Sequence, residues 1–591
     1  MPKLRTPLHP ALLWTALLVL VVATYLFGLG GPFAPTNGDE MVYIHIARMT
    51  TESGHWLPLQ SELVGTRNTK PPLLIWQGMV ASGWGQHWNL VALRLPSIIY
   101  TFATTALLGF FTWRISGKRR TACLAAVLYL LYFSTFRYGR VYLTSAPETF
   151  WLALPMWWLM WQQVRVRPGV APSMATPTTP GWLVYTLFGI SMGLGAAYKS
   201  FALLAPAAAS IWCATLWASG TWSWRNAART TVGVAWSTLL GLGIFCLWFA
   251  LDPDPAAVWN EFVLAENVGK MSNSMGYWQA AIEGPYPMWQ QLLAYPVNAG
   301  LLALTTLGFV WALAVRCVRR GAPIALSAPQ RTLIVWLLVW LVVFTIPSQR
   351  SERYVIPAMP ALAIAMALLW QRIGRLWSIA TLLLMAPALV MLARIAWVIT
   401  DMGAGTVVLC GAALAAAALG LLAVFLGLFN ARWTRNASLV ACATTYACFN
   451  LMVAPLSHPD ADYPADVVAS LQGKRVAVPN GFTGQYENYH FVLGHAHITP
   501  YDAEGRNTGE LYPDMPAAER LQRLLGEFDV VVWLQDDDDQ EEPTCFPRCK
   551  LVAQRWHVLS RHKSGDITWD NLWYPQEWLF SREWMLVKSD R

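Results

Sequence analysis

The apolar runs constrain this chain more than any other feature. From Ala11 to Pro455 it is a succession of segments near twenty residues long, rich in Leu, Ala, Val, Trp and Phe and nearly free of charge, joined by polar links. A run of that length crosses the hydrocarbon core of a bilayer as one helix, which satisfies its own backbone N–H and C=O groups. Segments near 11–30, 92–113, 121–135, 147–163, 183–198, 201–218, 230–250, 292–315, 332–347, 355–371, 376–398, 404–429 and 436–455 predict about thirteen transmembrane helices. Only 13% of the residues are charged, where a soluble domain carries about 25%. The 33 Trp suit membrane–water interfaces.

Net charge is +8. It reads as a topology signal and not as a nucleic-acid footprint. With a cytoplasmic N-terminus and an uncleaved first span, alternate loops fall inside. Those loops carry Arg114 with Lys118–Arg120, Arg165 with Arg167, Arg225 with Arg229, Arg316 with Arg319, Arg320 and Arg331, Arg372 with Arg375, and Arg432 with Arg435. Every inside loop is marked, as the positive-inside rule requires. An odd number of spans then places the tail after residue 455 on the outer face. That outer face nevertheless holds Arg67, Lys70, Arg137, Arg140, Lys199, Lys270, Arg350 and Arg353. Singly, Lys199 and Arg94 read as interfacial anchors. Together, the outer cations point to an anionic ligand on that side.

Two outer loops are long, about 31–91 and 251–291, and long ordered loops are often functional. In the first, Asp39 and Glu40 open a short helix expected on the membrane surface, ended by Gly54 and Pro58; Lys70 stands before Pro71-Pro72, which hold it on extended backbone. His45 and His55 lack ligand spacing and read as interfacial. Residues 456–591 alternate strand-like runs (RVAVP, FDVVVWL) with a helical AAERLQRLLGEF, so a small α/β domain follows the membrane domain of 1–455. Cys545 and Cys549 pair if that tail is extracytoplasmic. The acidic run QDDDDQEE reads as a solvated loop.

Several motifs together resemble a known family. They are GDEMVYIHIARMTTESGHWLP, TKPPLLIW, GAAYKSFALLAP, EFVLAENVGKM and SQRSERYVIPAMPALAI, with KRVAV, GDI and SREWMLV in the tail. The chain resembles the membrane C-type glycosyltransferases that use polyprenyl-phosphate sugars, in the bacterial branch of lipid A aminoarabinose transferases and relatives of protein O-mannosyltransferases. The resemblance implies an inner-membrane enzyme with a periplasmic site and a periplasmic α/β tail. Its donor is a polyprenyl-phosphate sugar, its acceptor a lipid, glycan or protein, with lipid A modification among the possibilities. Asp39 becomes the catalytic carboxylate, beside Glu40 as a structural group and Tyr43. Lys70, Arg350, Arg353 and Tyr354 take the donor phosphate, with Arg140, Lys199 and Lys270 as further cations.

Two departures from the family stand out. Ser145 occupies a position where relatives have Asp, and Glu148 three residues on reads either as its substitute or as a charge favouring a helix N-terminus. Thr69 replaces a Glu that in relatives joins a metal site, so no metal ligand set and no cofactor is firmly implied. A lipid-glycan flippase is the alternative of another class; it calls for ionisable residues at mid-span, and the span centres here are nearly charge-free.

Overall fold

The computed structural model describes residues 10–31, 38–63, 65–165, 180–218, 223–268, 276–319, 326–453, 462–481, 484–503, 511–513, 515–534, 543, 545, 548–559 and 565–589. Lys270 and the acidic run at 535–542 lie outside the described residues. A helix lies on each of the thirteen apolar segments. Among the described residues, seven helices are long and apolar enough to cross a membrane: Leu90–Ser116, Trp224–Leu251, Ala294–Arg316, Ala328–Thr345, Glu352–Arg372, Arg375–Asp401 and Val407–Phe429. Others, such as Pro10–Leu26 and Trp182–Tyr198, are apolar but shorter.

Burial sorts these helices. The Glu352–Arg372 segment is 72% buried along its apolar window, against 28–44% in the other six. It is the centre of the bundle. Its Pro357 and Pro360, expected to mark a broken helix entry, lie in and just after a 3-10 turn, Glu352–Ala358, that precedes the α-helix Met359–Leu369. The outer helices present Val407, Val408 and Phe429 to the surroundings, each more than three-quarters exposed, as lipid-facing positions must. Where helices meet closely the residues are small. A Cβ at Gly189 or Gly193 would come within 2.8 Å of the helix Trp224–Leu251, and Ser237 Oγ donates to the Tyr185 carbonyl there at 2.6 Å. Close backbone approach and interhelical hydrogen bonds replace hydrophobic drive in a bilayer.

The tail forms a five-stranded sheet: β1 (Arg475–Asn480), β2 (His497–Asp502), β3 (Val530–Leu534), β4 (Cys549–Val558) and β5 (Phe580–Lys588). Their order is β2-β1-β3-β5-β4, parallel through β1, β2 and β3 and antiparallel beyond. Strands β1 and β3 are apolar on both faces because both are covered. Ala477, Val531 and Trp533 pack with Leu521 and Leu524 of the helix Ala517–Glu527. Val476, Val478, Val530 and Val532 pack with Tyr463, Tyr486 and Tyr489. Cys545 and Cys549 form a disulfide. The tail is seated on the membrane domain: Val558, Trp578, Leu579 and Phe580 join its apolar core, and Trp556 Nε1 donates to the Met402 carbonyl at 3.2 Å.

The helix opened by Asp39 runs from Gly38 to Glu52. It was expected to lie on the membrane surface, but Ile44, Ile46 and Ala47 are at most 1% exposed. It is held between the helix Leu73–Ala81 and the tail segment Gln485–Asn488. Its modest amphipathicity reflects burial on several sides and not a half-immersed helix.

Candidate functional site

The site is built on the N-terminal turn of that helix. Asp39 and Glu40 both stand where the helix dipole favours negative charge, yet they face different partners. Glu40 is 3% exposed. Its carboxylate accepts from Arg94 Nε at 2.7 Å and Nη2 at 2.9 Å, and from the Tyr142 backbone N–H at 2.8 Å. Arg94 also donates to the carbonyls of Leu29 and Gly31. Arg94 is therefore no interfacial anchor: it is fully buried, and with Glu40 it ties together the loop after the first helix, the Asp39 helix and the Tyr142 turn. Asp39 points the other way. Its Oδ2 accepts from Arg353 Nη1 at 3.1 Å, with the side chains 44% and 33% exposed.

Arg353 is placed by the 3-10 turn, where the Ser351 hydroxyl accepts its backbone N–H at 3.3 Å and Asn298 Nδ2 donates to the Glu352 carbonyl at 2.6 Å. The guanidinium lies 4.7 Å from the centre of the Tyr138 ring, a cation–π contact.

Two further cation–carboxylate pairs stand nearby. Lys70 Nζ donates to Glu266 Oε1 at 2.7 Å. Pro72 does not extend the backbone after it: with φ −73° and ψ −14° it turns directly into the helix Leu73–Ala81. The ammonium is held instead by Glu266 and by the Thr69 carbonyl at 2.8 Å. Lys199 Nζ donates to Glu148 Oε1 at 3.0 Å and lies 5.9 Å from the Tyr354 ring centre. Glu148 is fully buried in the first turn of Ser145–Arg165, so it is both a dipole-favoured residue and the partner of a site cation. Ser145 begins that helix and accepts from the Thr149 hydroxyl through its carbonyl. Tyr43 lies among the three pairs. Burial pushes its phenol well above the ordinary range; the charges of Asp39, Glu266 and Glu148 add to this, and Arg353 offsets it. The phenol stays protonated and can donate.

One expected phosphate ligand, Arg350, and one further candidate cation, Arg140, are turned elsewhere. Arg350 is 2% exposed and spends its guanidinium on carbonyls, those of Thr345 at 2.7 Å, Tyr286 at 2.9 Å and Ser348 at 3.3 Å. It closes the end of the helix Ala328–Thr345. Arg140 donates to the Thr24 carbonyl and to Asn450 Oδ1, and its guanidinium lies 4.3 Å from the Phe136 ring centre, bracing the first helix against Thr434–Met452. It also borders a cavity of about 470 Å³ that runs from Glu40 between Phe133, Phe136, Arg137, Leu301 and Tyr446. His45, expected at the interface, is fully buried and bonded to the tail.

Glu266 was missed. The motif that carries it drew attention only to Lys270. Trp259–Val268 is a wide π-type helix, whose backbone hydrogen bonds span five residues. Glu266 reaches Lys70 while Glu261 Oε2 accepts the Asn68 backbone N–H at 3.2 Å, so both clamp the same loop. Two acids at a spacing of five were the available signal, one that a 3.6-residue period conceals. Among the described residues no group of three His, Cys, Asp or Glu is placed to hold a metal. Thr69, expected to replace a metal-joining Glu of the relatives, donates its hydroxyl to the Thr66 carbonyl at 3.0 Å.

Residues 12–259 match the sequence profile of the dolichyl-phosphate-mannose-protein mannosyltransferase family. The chain is 26% identical over 364 residues to undecaprenyl phosphate-alpha-4-amino-4-deoxy-L-arabinose arabinosyl transferase 1 of Sodalis glossinidius (strain morsitans). It is 25% identical over 358 residues to the corresponding transferase of Pectobacterium carotovorum subsp. carotovorum (strain PC1). Each match takes in 60% of this chain and 58% of the relative. Over 97% of both chains the fold agrees with ArnT from Cupriavidus metallidurans, with TM-score 0.55 and 15% identity for the apo state, and 0.56 and 14% for the form bound to undecaprenyl phosphate. The resemblance carried by the motifs is matched on both counts: the fold agrees with ArnT, and residues 12–259 match the protein mannosyltransferase profile.

Proposed function

We propose that this protein is a membrane glycosyltransferase that moves a sugar from a polyprenyl-phosphate donor to an acceptor at the periplasmic face of the inner membrane, with lipid A as the acceptor to test first. The observation that carries the reading is the set of three cation–carboxylate pairs around Tyr43, of which Asp39–Arg353 is the open one. An exposed ion pair contributes only about 0–1 kcal/mol, so substrates can separate Asp39 from Arg353 at little cost.

The donor is a phosphodiester with one negative charge. When the bond between the anomeric carbon and the phosphate oxygen breaks, the lipid phosphate leaves with two. That added charge needs cations and not an acid, and Lys70, Arg353 and Lys199 supply them where it develops. An acceptor hydroxyl attacks from the opposite side and gives its proton to Asp39, whereas toward a phosphate acceptor Asp39 mainly positions groups; in both cases the anomeric centre inverts through an oxocarbenium-like transition state. Glu148 and Glu266 hold the two lysines in place before the phosphate arrives. The cavity beside Glu40 suits the chain of a lipid substrate. The disulfide and the charge pattern support an outer location for the tail. The similar arabinosyl transferases and the undecaprenyl phosphate in the bound ArnT structure support the donor class.

The test is transfer by purified protein in liposomes, from undecaprenyl-phosphate 4-amino-4-deoxy-L-arabinose to lipid A, read by mass spectrometry, with glycan and peptide acceptors in parallel. Sugar transfer that falls away in Arg353→Ala supports the reading. Movement of intact donor between leaflets with no sugar transferred to any acceptor would establish a transporter instead.

A further inference from the structure

The tail contributes one buried carboxylate to the Asp39 helix. Glu487 is fully buried in the turn Gln485–Asn488. It accepts from Arg48 Nε at 2.7 Å and Nη2 at 3.1 Å, and from His45 Nδ1 at 3.1 Å. Both donors lie on the Asp39 helix, three residues apart and so on one face. The opposite ring nitrogen of His45, Nε2, accepts the Glu62 backbone N–H at 3.2 Å. That loop leads to Lys70. Because Nε2 accepts, Nδ1 carries the proton donated to Glu487, and one neutral tautomer is selected. The Tyr486 hydroxyl lies 3.2 Å from the same Nδ1, and the two rings meet edge to face, 5.7 Å between centres. Gly484, at φ +79°, brings the turn against the helix backbone: a Cβ there would stand 3.2 Å from the Val42 nitrogen. One imidazole thus joins the helix of Asp39, the loop of Lys70 and the tail.

We propose that Glu487 is a positioning residue for the transfer reaction, setting through His45 and Arg48 the separation between the Asp39 carboxylate and the Lys70 ammonium. The inference rests on the glycosyltransferase reading of the site. A carboxylate of the tail acquires by this route an effect on the chemical step. An apolar replacement would leave the His45 N–H and the Arg48 Nε–H without the acceptor they share.

Three variants test it: Glu487→Ala, Glu487→Asp and the remote tail control Arg475→Ala, whose side chain is 63% exposed. In reconstituted full-length protein, Glu487→Ala should lower kcat by about 10- to 100-fold, the scale expected of an ångström-sized displacement of reacting groups. The donor KM should change by less than about twofold, because Lys70 itself remains. Glu487→Asp should recover part of kcat, and Arg475→Ala should match wild type. Hydrogen exchange gives a readout independent of transfer: amides of 38–52 should lose protection in Glu487→Ala while those of β1 and β3 keep theirs. Unchanged kcat per folded molecule, or unchanged protection of 38–52, overturns the proposal. If the wild-type protein transfers no sugar, the function reading fails by itself, and the exchange arm still decides whether Glu487 fixes the helix.

Discussion

Asp39 and Glu40 are neighbours on one turn of one helix, each is an acid, and each is paired with an arginine. There the likeness ends. Glu40 and Arg94 are sealed in the bundle, and the carboxylate accepts three N–H groups. Asp39 meets Arg353 through a single 3.1 Å contact at a partly open surface. The sealed pair has nowhere to go without leaving a charge unsolvated. The open pair can trade partners for a substrate. Charge type and sequence position are the same, so burial and the number of hydrogen bonds decide which acid holds the fold and which is available to react.

The largest expected effect is on the sealed side. Glu40→Ala leaves Arg94 buried without its counter-ion, a loss of about 3–5 kcal/mol. Folded protein in detergent should fall steeply, as read by size-exclusion yield and thermal unfolding; a well-folded Glu40→Ala protein would erase the contrast with Asp39. Asp39→Asn should do the reverse. Transfer drops about 10²- to 10⁴-fold, the usual contribution of a general base, while the melting temperature stays near wild type. Lys70→Ala comes next. Removing a charged hydrogen bond of about 1.5–3 kcal/mol should weaken donor binding roughly 10- to 100-fold. Glu266→Gln, which removes the competitor for the same ammonium, should leave binding as tight or tighter, measured by titration with a non-hydrolysable donor.

The smallest effect follows from pH. Burial pushes the Glu487 carboxyl up, but hydrogen bonds from His45 and Arg48 outweigh it and hold the group below its ordinary 4.5. A carboxylate depressed in the folded state stabilises that state above the unfolded value and loses the contribution as pH falls through the folded one. The Glu487 contribution to the seating of the tail should therefore be constant from neutrality to about pH 4.5 and decline below it. Glu487→Gln should remove that part of the decline.

Much of the architecture was legible because it is local. A twenty-residue apolar run satisfies its own backbone, and a helix lies on each of the thirteen segments. Asp39, Lys70, Arg353 and Glu148 were singled out from motifs and the structure brings them together, with Tyr43 among them. Pairings were not legible. Lys70 and Glu266 stand 196 residues apart, and His45 and Glu487 stand 442 apart, distances over which no periodicity speaks. Arg350 shows the converse limit: its charge was evident, but whether a guanidinium faces a cavity or the carbonyls of a helix end depends on how the chain turns after Thr345. Arg94 and His45 were assigned to an interface because polar residues near span ends usually sit there. Each instead has buried partners that only the fold supplies.

The bond between His45 and Glu487 has a consequence for biosynthesis. A ribosome delivers the helix of Asp39 among the first segments and reaches residue 487 only after 442 more, about 20–90 s at ordinary elongation rates. Through that interval the growing chain holds Asp39 and gains its remaining helices, but not the carboxylate that bonds the Asp39 helix. If Glu487 positions the site as proposed, its completion is deferred until most of the polypeptide has been made. Nascent chains stalled before residue 487 should reach the membrane with 38–52 open to protease, and release of the stall should close it.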